Sequence, residues 1–304
     1  MDCPLFNRDV PVICPKCDSK SKEISCTYFK CNECGEVFPG AKKSEKKGYI
    51  NLILETKRIL KKAYKEYNGN ILIGFSGGKD SEVMLDLAVN LFGSDVPVVF
   101  NDTKIEFQET YEHIEKMKNY YHLTDFHKTE PLHTFFKELS YSRKARSPLQ
   151  ALASRRYCCW TLKKIPLNKY GDKRWGEWDW ITVSGTKKSD SRGRSEYEPF
   201  MEIDNTRAKY HICQPLVEWQ DSDVDRYIEK NNLPVNPVYQ WYDSTGCAPC
   251  PCPNKHHDYY SKLAEHHPRW YQAIWQHKSQ EEIYCHEWLS ESEMKELKEK
   301  ITQR

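Results

Sequence analysis

Residues 71–92 read ILIGFSGGKDSEVMLDLAVNLF: an apolar run, a glycine-bearing loop and an amphipathic helix in immediate succession. The run Ile71–Phe75 is short and apolar on both faces, which suits a strand buried in a parallel sheet. Val83, Met84, Leu87 and Leu91 recur at helical spacing and predict the helix that follows. Between them stands Ser76-Gly77-Gly78-Lys79-Asp80-Ser81. Its two glycines let the backbone approach an anion closely, and the N–H groups of a helix start face that anion. Ser76 and Ser81 add hydroxyl donors, and Lys79 adds a cation. The loop lacks the spacing G-x4-G-K-[ST]. Its plainer reading is a Gly-Gly turn capped by Asp or Ser. A second strand, Val96–Phe100, ends in Asn101-Asp102-Thr103, a helix follows over Glu106–Tyr120, and Leu123–His127 reads as a third strand. Asp102 sits where open α/β sheets bind ligands; it either contacts the ligand or its metal, or caps the helix.

Thirteen cysteines fall into two groups, with none between Cys34 and Cys158. The N-terminus, MDCPLFNRDV, has no basic stretch followed by an apolar run, so a reducing compartment is expected. Clustered cysteines there read as metal ligands or redox groups. Cys14-x2-Cys17 and Cys31-x2-Cys34 are separated by thirteen residues. Each pair puts two thiolates on one tight turn, and two such turns make a tetrahedral four-sulfur site. Zinc is expected rather than iron, and residues 1–40 read as a zinc ribbon, because so short a segment needs a staple. Ribbons bind nucleic acid or protein, and spacing does not say which. Residues 41–69 hold a charged linker, AKKSEKKG, and a helix over Tyr49–Tyr67 that stops at Asn68-Gly69-Asn70. In the second group, adjacent Cys158 and Cys159 lie in a basic helix, and Cys247, Cys250 and Cys252 lie in the proline-rich run Thr245–Pro253. Cys158, Cys159, Cys247 and Cys250 supply the four thiolates an iron–sulfur cubane needs; a second zinc or free thiols are the other readings.

Composition narrows the function classes. Forty-six basic against forty-four acidic residues give a net charge of +2, which argues against a chain that coats polyanions and leaves room for a local basic face. Aromatics at 13% exclude wholesale disorder, and no stretch of eighteen apolar residues spans a membrane. A cytoplasmic protein is expected; the oligomeric state stays open.

Ser76–Ser81 resembles the PP-loop of the ATP pyrophosphatase (adenine nucleotide alpha hydrolase-like) superfamily, whose members cut ATP between the α and β phosphates. With the Cys-Cys pair and the later Cys-x2-Cys, the chain resembles the phosphoadenosine phosphosulfate (PAPS) reductase family and its iron–sulfur adenylylsulfate (APS) reductase branch. Gly185-Thr186-Lys187-Lys188-Ser189-Asp190-Ser191-Arg192-Gly193-Arg194 follows a strand over Trp180–Ser184 and is similar to the family pattern G-x-R-x2-E-S-x2-R, with Lys187 for Arg and Asp190 for Glu. Gln214–Trp219 and Leu233-Pro234-Val235-Asn236-Pro237-Val238-Tyr239 add to the likeness. The resemblance implies an α/β fold with a parallel-sheet PP-loop core over 70–255; the cysteine spacing adds the N-terminal ribbon, and residues 256–304 read as a helical C-terminal segment.

The resemblance also implies a nucleotide site: Ser76, Gly77, Gly78, Lys79, Asp80, Ser81 and Gly185 binding an adenine nucleotide, with Lys79, Asp80, Asp102, Lys187 and Arg194 as catalytic candidates. Lys163, Lys187, Arg192 and Arg194 are expected to face phosphates. A [4Fe-4S] cluster on Cys158, Cys159, Cys247 and Cys250, Zn²⁺ on Cys14, Cys17, Cys31 and Cys34, and ATP with Mg²⁺ are the expected cofactors. The reductases carry a degraded loop and a Glu-Cys-Gly-Leu-His tail; this sequence keeps the full SGGKDS and holds no such tail. The leading expectation is therefore an ATP-dependent, adenylating sulfur-transfer enzyme acting on tRNA or DNA with a sulfur donor. The ribbon and the basic segments Arg143–Arg146, Arg155–Arg156 and Lys163–Lys169 favour it. The alternatives are an APS/PAPS reductase that makes sulfite with a thiol reductant, and an iron–sulfur nucleotide sensor. Cys285 reads as a buried structural thiol, and His256, His257, His266 and His267 read as solvated helix surface. Cys213 and Cys252 receive no role.

Overall fold

The computed structural model describes residues 21–25, 28–35, 37–39, 48–137, 157–204, 208–250, 258–276 and 290–302. Cys14, Cys17, Cys252, Cys285, His256, His257, Arg143–Arg146 and Arg155–Arg156 lie outside the described residues.

The first three strands, β1 (Ser21–Ser25), β2 (Tyr28–Cys31) and β3 (Val37–Pro39), pair antiparallel in a sheet of their own. Cys31, at the end of β2, accepts the backbone N–H groups of Glu33 and Cys34 on its sulfur, each at 3.4 Å. Gly35 follows at a φ of 71°, a left-handed value that costs glycine nothing. This is the tight turn expected of a Cys-x2-Cys pair.

Helix α1 (Tyr49–Glu66) belongs to the body of the fold. It turns Leu52, Ile59, Leu60 and Ala63 into the main core. Thr56 sits in the same stripe, donates to the Leu52 carbonyl at 2.8 Å and accepts the indole N–H of Trp219 at 3.0 Å. A buried hydroxyl and a buried indole thus satisfy each other.

The body is a six-stranded sheet: β4 (Ile71–Gly74), β5 (Val98–Asn101), β6 (Phe126–Thr129), β7 (Ile181–Val183), β8 (Phe200–Asp204) and β9 (Lys209–Cys213). Their order is β6-β5-β4-β7-β9-β8; every pairing is parallel except the β8–β9 hairpin at one edge. The chain moves outward from β4 to β5 and β6, then returns to place β7 on the other side of β4. The strand order therefore reverses between β4 and β7, and the loops leaving those two strands open the crevice in which such sheets bind ligands.

Helices α2 (Lys79–Phe92) and α3 (Gln108–Tyr120) follow β4 and β5. One helical turn, Tyr157–Cys159, passes through five π-helical residues, Trp160–Lys164, into α4 (Ile165–Trp175). After the sheet come α5 (Asp221–Lys230), α6 (Tyr259–His266), α7 (Pro268–Trp275) and α8 (Glu291–Thr302). Asp86 on α2 binds its neighbours together: its carboxylate, 7% exposed, accepts from Tyr121 at 2.9 Å and from Tyr227 on α5 at 2.7 Å.

The third strand lies later than expected, at Phe126–Thr129 rather than Leu123–His127. Leu123 and Thr124 are consumed by the turn before it, where their N–H groups donate to Lys118 and Ser94 carbonyls at 3.0 Å. Pairing with β5 then starts at Val98↔Phe126.

Packing is tightest where α4 crosses Trp180. That indole is fully buried, and its N–H donates to Asp172 at 2.9 Å. A Cβ on Gly171 would lie 2.1 Å from the Trp180 ring. Gly171→Ala should therefore destabilise the fold by about 2 kcal/mol or more, since an overpacked core must shift backbone or rotamer. Urea unfolding measures this; an unchanged midpoint would mean the indole has room to move.

Candidate active site

The loop after β4 is wound around one hydroxyl. Ser81 Oγ accepts the N–H groups of Ser76 at 3.2 Å and Gly78 at 3.1 Å, and donates to the Gly78 carbonyl at 2.7 Å. Gly77 makes the turn possible, at a φ of 74°. The loop is braced from outside by Asn236, which is buried and donates its amide to the Gly77 carbonyl and to Thr110 of α3, both at 3.1 Å. Tyr239 accepts the Lys79 N–H on its hydroxyl at 3.0 Å. The Lys79 ammonium pairs with Asp225 of α5 at 2.8 Å and lies over the Tyr239 ring. Beneath the loop Glu82 and His113 meet at 2.8 Å, both buried, and burial pushes the Glu82 carboxyl above its ordinary range.

The loop after β7 docks on the first. A Cβ on Gly185 would come within 2.7 Å of the Asp80 carbonyl oxygen, so only glycine lets the two backbones approach this closely. Lys187, 1% exposed, then reaches Asp80, Asp190 at 3.1 Å and Asp221 at 3.3 Å. Burial disfavours its charge, but Asp80 and Asp190 outweigh that and hold its pKa above the usual lysine value. Burial, with help from the Asp190 and Asp221 charges, keeps the Asp80 carboxyl above the ordinary range despite Lys187. Arg194 pairs with Asp190. A cavity of about 490 Å³ opens beside this node, lined by Asp80, Lys187, Asp221, Tyr239, Tyr242 and Tyr259 among others. Its size suits a nucleotide-sized ligand.

Cys158, Cys159, Cys247 and Cys250 come together, and Cys247 follows closely on a residue that touches the loop. Thr245 Oγ1 would be 2.9 Å from a Cβ at Gly78, so the segment that touches the loop reaches Cys247 two residues later. Cys247 lies 3.7 Å from the Thr103 hydroxyl and 3.6 Å from Glu106; burial and the Glu106 charge push its thiol up to about 11. Cys158 is raised further still, by its hydrogen bond to Cys159, by burial, and by the neighbouring Cys159, Cys250 and Cys247. The four thiols share one electrostatic environment. Among the described residues, no group of three or more His, Cys, Asp or Glu side chains closes tightly enough to hold a single metal ion.

Residues 70–253 match the model of the phosphoadenosine phosphosulfate reductase domain. The chain is an enzyme of that family. The adenosine 5'-phosphosulfate reductase of Anoxybacillus flavithermus is 33% identical over 198 residues, covering 64% of this chain and 78% of that protein. The enzyme of the same name from Oceanobacillus iheyensis is 34% identical over 196 residues, with 64% and 76% covered. A solved phosphoadenylyl-sulfate reductase from Candida auris superposes with a TM-score of 0.47 at 18% identity, over 68% of this chain and 98% of that one.

Within the family domain, the structure gathers Ser76–Ser81, Gly185, Lys187 and Arg194 at one crevice. Three expected roles change. Lys163 does not lie with the loop: the π-helical turn places it 3.4 Å from Glu106, and the charges of Cys247, Glu106 and Cys159 outweigh burial and raise its pKa well above the usual value. Asp102 is engaged within its own turn, accepting the Lys104 N–H at 2.9 Å, the Lys104 ammonium at 2.8 Å and the Tyr111 hydroxyl at 2.8 Å. Burial alone would raise its pKa, but these hydrogen bonds hold it below the ordinary value. His267 is not solvated surface; it bonds to Tyr242 and Glu109. Sequence reasoning gave no role to Asn236, Tyr239, Thr110 or Asp225. The first two stand in a motif that was singled out, whereas the contacts of Thr110 and Asp225 have no local signal.

Lys187→Met would leave the Asp80 carboxylate without its cation, while Asp190 keeps Arg194. It should cost about 3 kcal/mol or more in urea unfolding, as expected when one partner of a buried pair is removed. Asp221→Asn should cost less than about 0.5 kcal/mol, because the Asp221 side chain is 87% exposed. Equal effects from the two would show that Lys187 is not the node.

Proposed function

We propose that this chain binds an adenine nucleotide across the Ser76–Ser81 loop and the adjoining cavity, and carries out sulfur chemistry on it as a sulfonucleotide reductase. The carrying observation is the direct run of chain from the nucleotide cradle to the thiols: Thr245 at Gly78, then Cys247. The names of the relatives point the same way. In such a reaction a thiolate of a dithiol reductant attacks the sulfur of the nucleotide's sulfo group, because Cys158, Cys159, Cys247 and Cys250 are assigned to a cluster; the bond from sulfur to the phosphate oxygen breaks, and AMP leaves. A second thiol then releases sulfite and forms a disulfide, so two thiols supply the two electrons. The protein's part is to hold the phosphate at Lys79, which would exchange Asp225 for the anion, and at loop N–H groups that would exchange Ser81 and Tyr239 for it.

Cys158, Cys159, Cys247 and Cys250, which share one electrostatic environment, are the residues that would hold an iron–sulfur cluster. Lys163 beside them offsets the negative charge of such a set. When bound, the cluster supplies a polarising and electron-accepting group. The expected zinc on Cys14, Cys17, Cys31 and Cys34 is a structural staple, supported by the Cys31–Gly35 turn.

A second reading has its own observation. Five aspartates, Asp80, Asp190, Asp221, Asp243 and Asp258, line the cavity against two lysines. Such a wall repels a bare sulfonucleotide and suits a nucleotide that arrives with Mg²⁺. The intact loop fits ATP in the same way. On this reading ATP adenylates an acceptor and a sulfur nucleophile displaces AMP; the nucleic-acid acceptor rests on the ribbon and the basic segments of the sequence.

Titrating anaerobically purified full chain with APS and with Mg-ATP decides between them. AMP and sulfite from APS plus a dithiol support the reductase; AMP and pyrophosphate from ATP support adenylation. Lys79→Ala with Asp80→Ala should weaken binding of the nucleotide at least tenfold; unchanged binding would reduce the loop to a turn. Cys158→Ala or Cys250→Ala should remove iron and leave zinc. Absence of iron and labile sulfide in the parent chain defeats the cluster.

A further inference from the structure

Three side chains from three separate elements meet behind the cavity. Glu109 lies in the first turn of α3, Tyr242 just after the 3-10 turn Pro237–Gln240, and His267 between α6 and α7. Tyr242 Oη is 2.8 Å from His267 Nδ1, and His267 Nε2 is 3.1 Å from Glu109 Oε1. Pro268 and the bond from the His267 N–H to the Leu263 carbonyl fix the imidazole between its helices. Phe107, fully buried, stacks on Tyr242 at 4.9 Å and packs against His267 at 4.7 Å. Trp241 closes the other side edge-on. The second carboxylate oxygen of Glu109 is buried with no hydrogen-bond partner among the described residues.

Donor and acceptor chemistry assigns the protons. An ionised carboxylate only accepts, so the tautomer that serves a relay is the one with the proton on Nε2, toward Glu109, and Nδ1 bare. Nδ1 therefore takes the phenol O–H. Burial and the Glu109 charge push the Tyr242 hydroxyl far above its ordinary pKa, so it stays protonated. Its proton is committed to His267, while Tyr242 itself lines the cavity.

We propose that Tyr242, His267 and Glu109 form a proton relay into the cavity, with Tyr242 as the general base toward the hydroxyl or thiol nucleophile that reacts there. The proton of the nucleophile passes to Tyr242 Oη as the phenol proton passes to His267 Nδ1. The products are a deprotonated nucleophile and an imidazolium paired with the Glu109 carboxylate; two protons shift together for a net transfer of one, and no change of oxidation state occurs. His267 and Glu109 are positioning residues in this arrangement. The role rests on the cavity being the reaction cavity of the proposed function, but not on which nucleotide occupies it.

A small arylsulfonyl fluoride tests the relay without any nucleotide. Tyr242 Oη attacks the sulfur, the S–F bond breaks, fluoride leaves and the phenol proton goes to His267. In the full chain, peptide mapping should show Tyr242 modified at least ten times faster than Tyr239 and Tyr259, which line the same cavity. His267→Gln and Glu109→Gln should each slow that labelling at least tenfold, with circular dichroism unchanged in at least one of them. Equal labelling of the three tyrosines, or a Tyr242 rate indifferent to both substitutions, overturns the relay. In a chain that turns over either nucleotide, Tyr242→Phe should lower kcat about a hundredfold, the low end of general-base effects, with nucleotide Kd within twofold. An unchanged kcat overturns the catalytic role. A parent chain inert toward both nucleotides counts against the proposed function, while selective labelling still establishes the relay.

Discussion

A buried ammonium cannot be left alone, and the geometry of the crevice follows from how Lys187 is answered. Its three carboxylates come from the loop after β4, the turn after β7 and the first residue of α5. Those elements are distant in sequence and adjacent in space only because β4 and β7 are neighbours at the point where strand order reverses. The pairing with Asp80 orients the loop that precedes α2, and Gly185 lets the two backbones close to the needed distance. Desolvating one cation with three anions leaves the node negative overall, which sets the character of the cavity wall. The same lysine that was expected to face a phosphate thus acts first on the protein's own acids.

What was legible in the sequence was what is local. Ile71–Phe75, the two glycines and Val83–Leu91 carry their own periodicity, and β4, the loop and α2 lie where that periodicity puts them. The Gly185–Arg194 stretch was readable as a site segment because it carries a motif. The side-chain partners were not readable. Lys163 belongs to a basic run, and only the π-helical turn after Cys159 aims it at Glu106 and the thiols. The third strand slipped because apolar Leu123 looks like a strand start, whereas its N–H is spent on the turn. The β8–β9 hairpin escaped notice although Lys209-Tyr210-His211-Ile212 alternates polar and apolar residues, because each strand is only five residues long and reads as an edge pair only beside its partner.

The histidine run shows the same limit from the other side. Mixed spacing over His256–His267 gives no common helix face, and a solvated surface is the sound reading of spacing alone. One member departs from it because Pro268 ends α6 and starts α7, turning the His267 ring inward between Phe107 and Trp241. Its acceptor, Glu109, lies 158 residues earlier. No window of sequence contains both.

The start of α3 is where these separate chemistries become one site. Glu106, just before the helix, faces Lys163 and Cys247. Glu109 faces His267, and Thr110 accepts from the Asn236 amide that braces Gly77. His113, one turn later, meets Glu82 beneath the loop. Spacings of one and three residues keep Glu109, Thr110 and His113 on adjoining parts of one helical face, and Glu106 stands two residues before that helix begins. A rotation of α3 by a single residue would move the thiols' acid, the relay's acid and the loop's brace together. The segment of largest consequence for function is thus not the glycine loop that announces itself in the sequence. It is the amphipathic helix start beside it, whose polar residues each answer a partner from a different part of the chain.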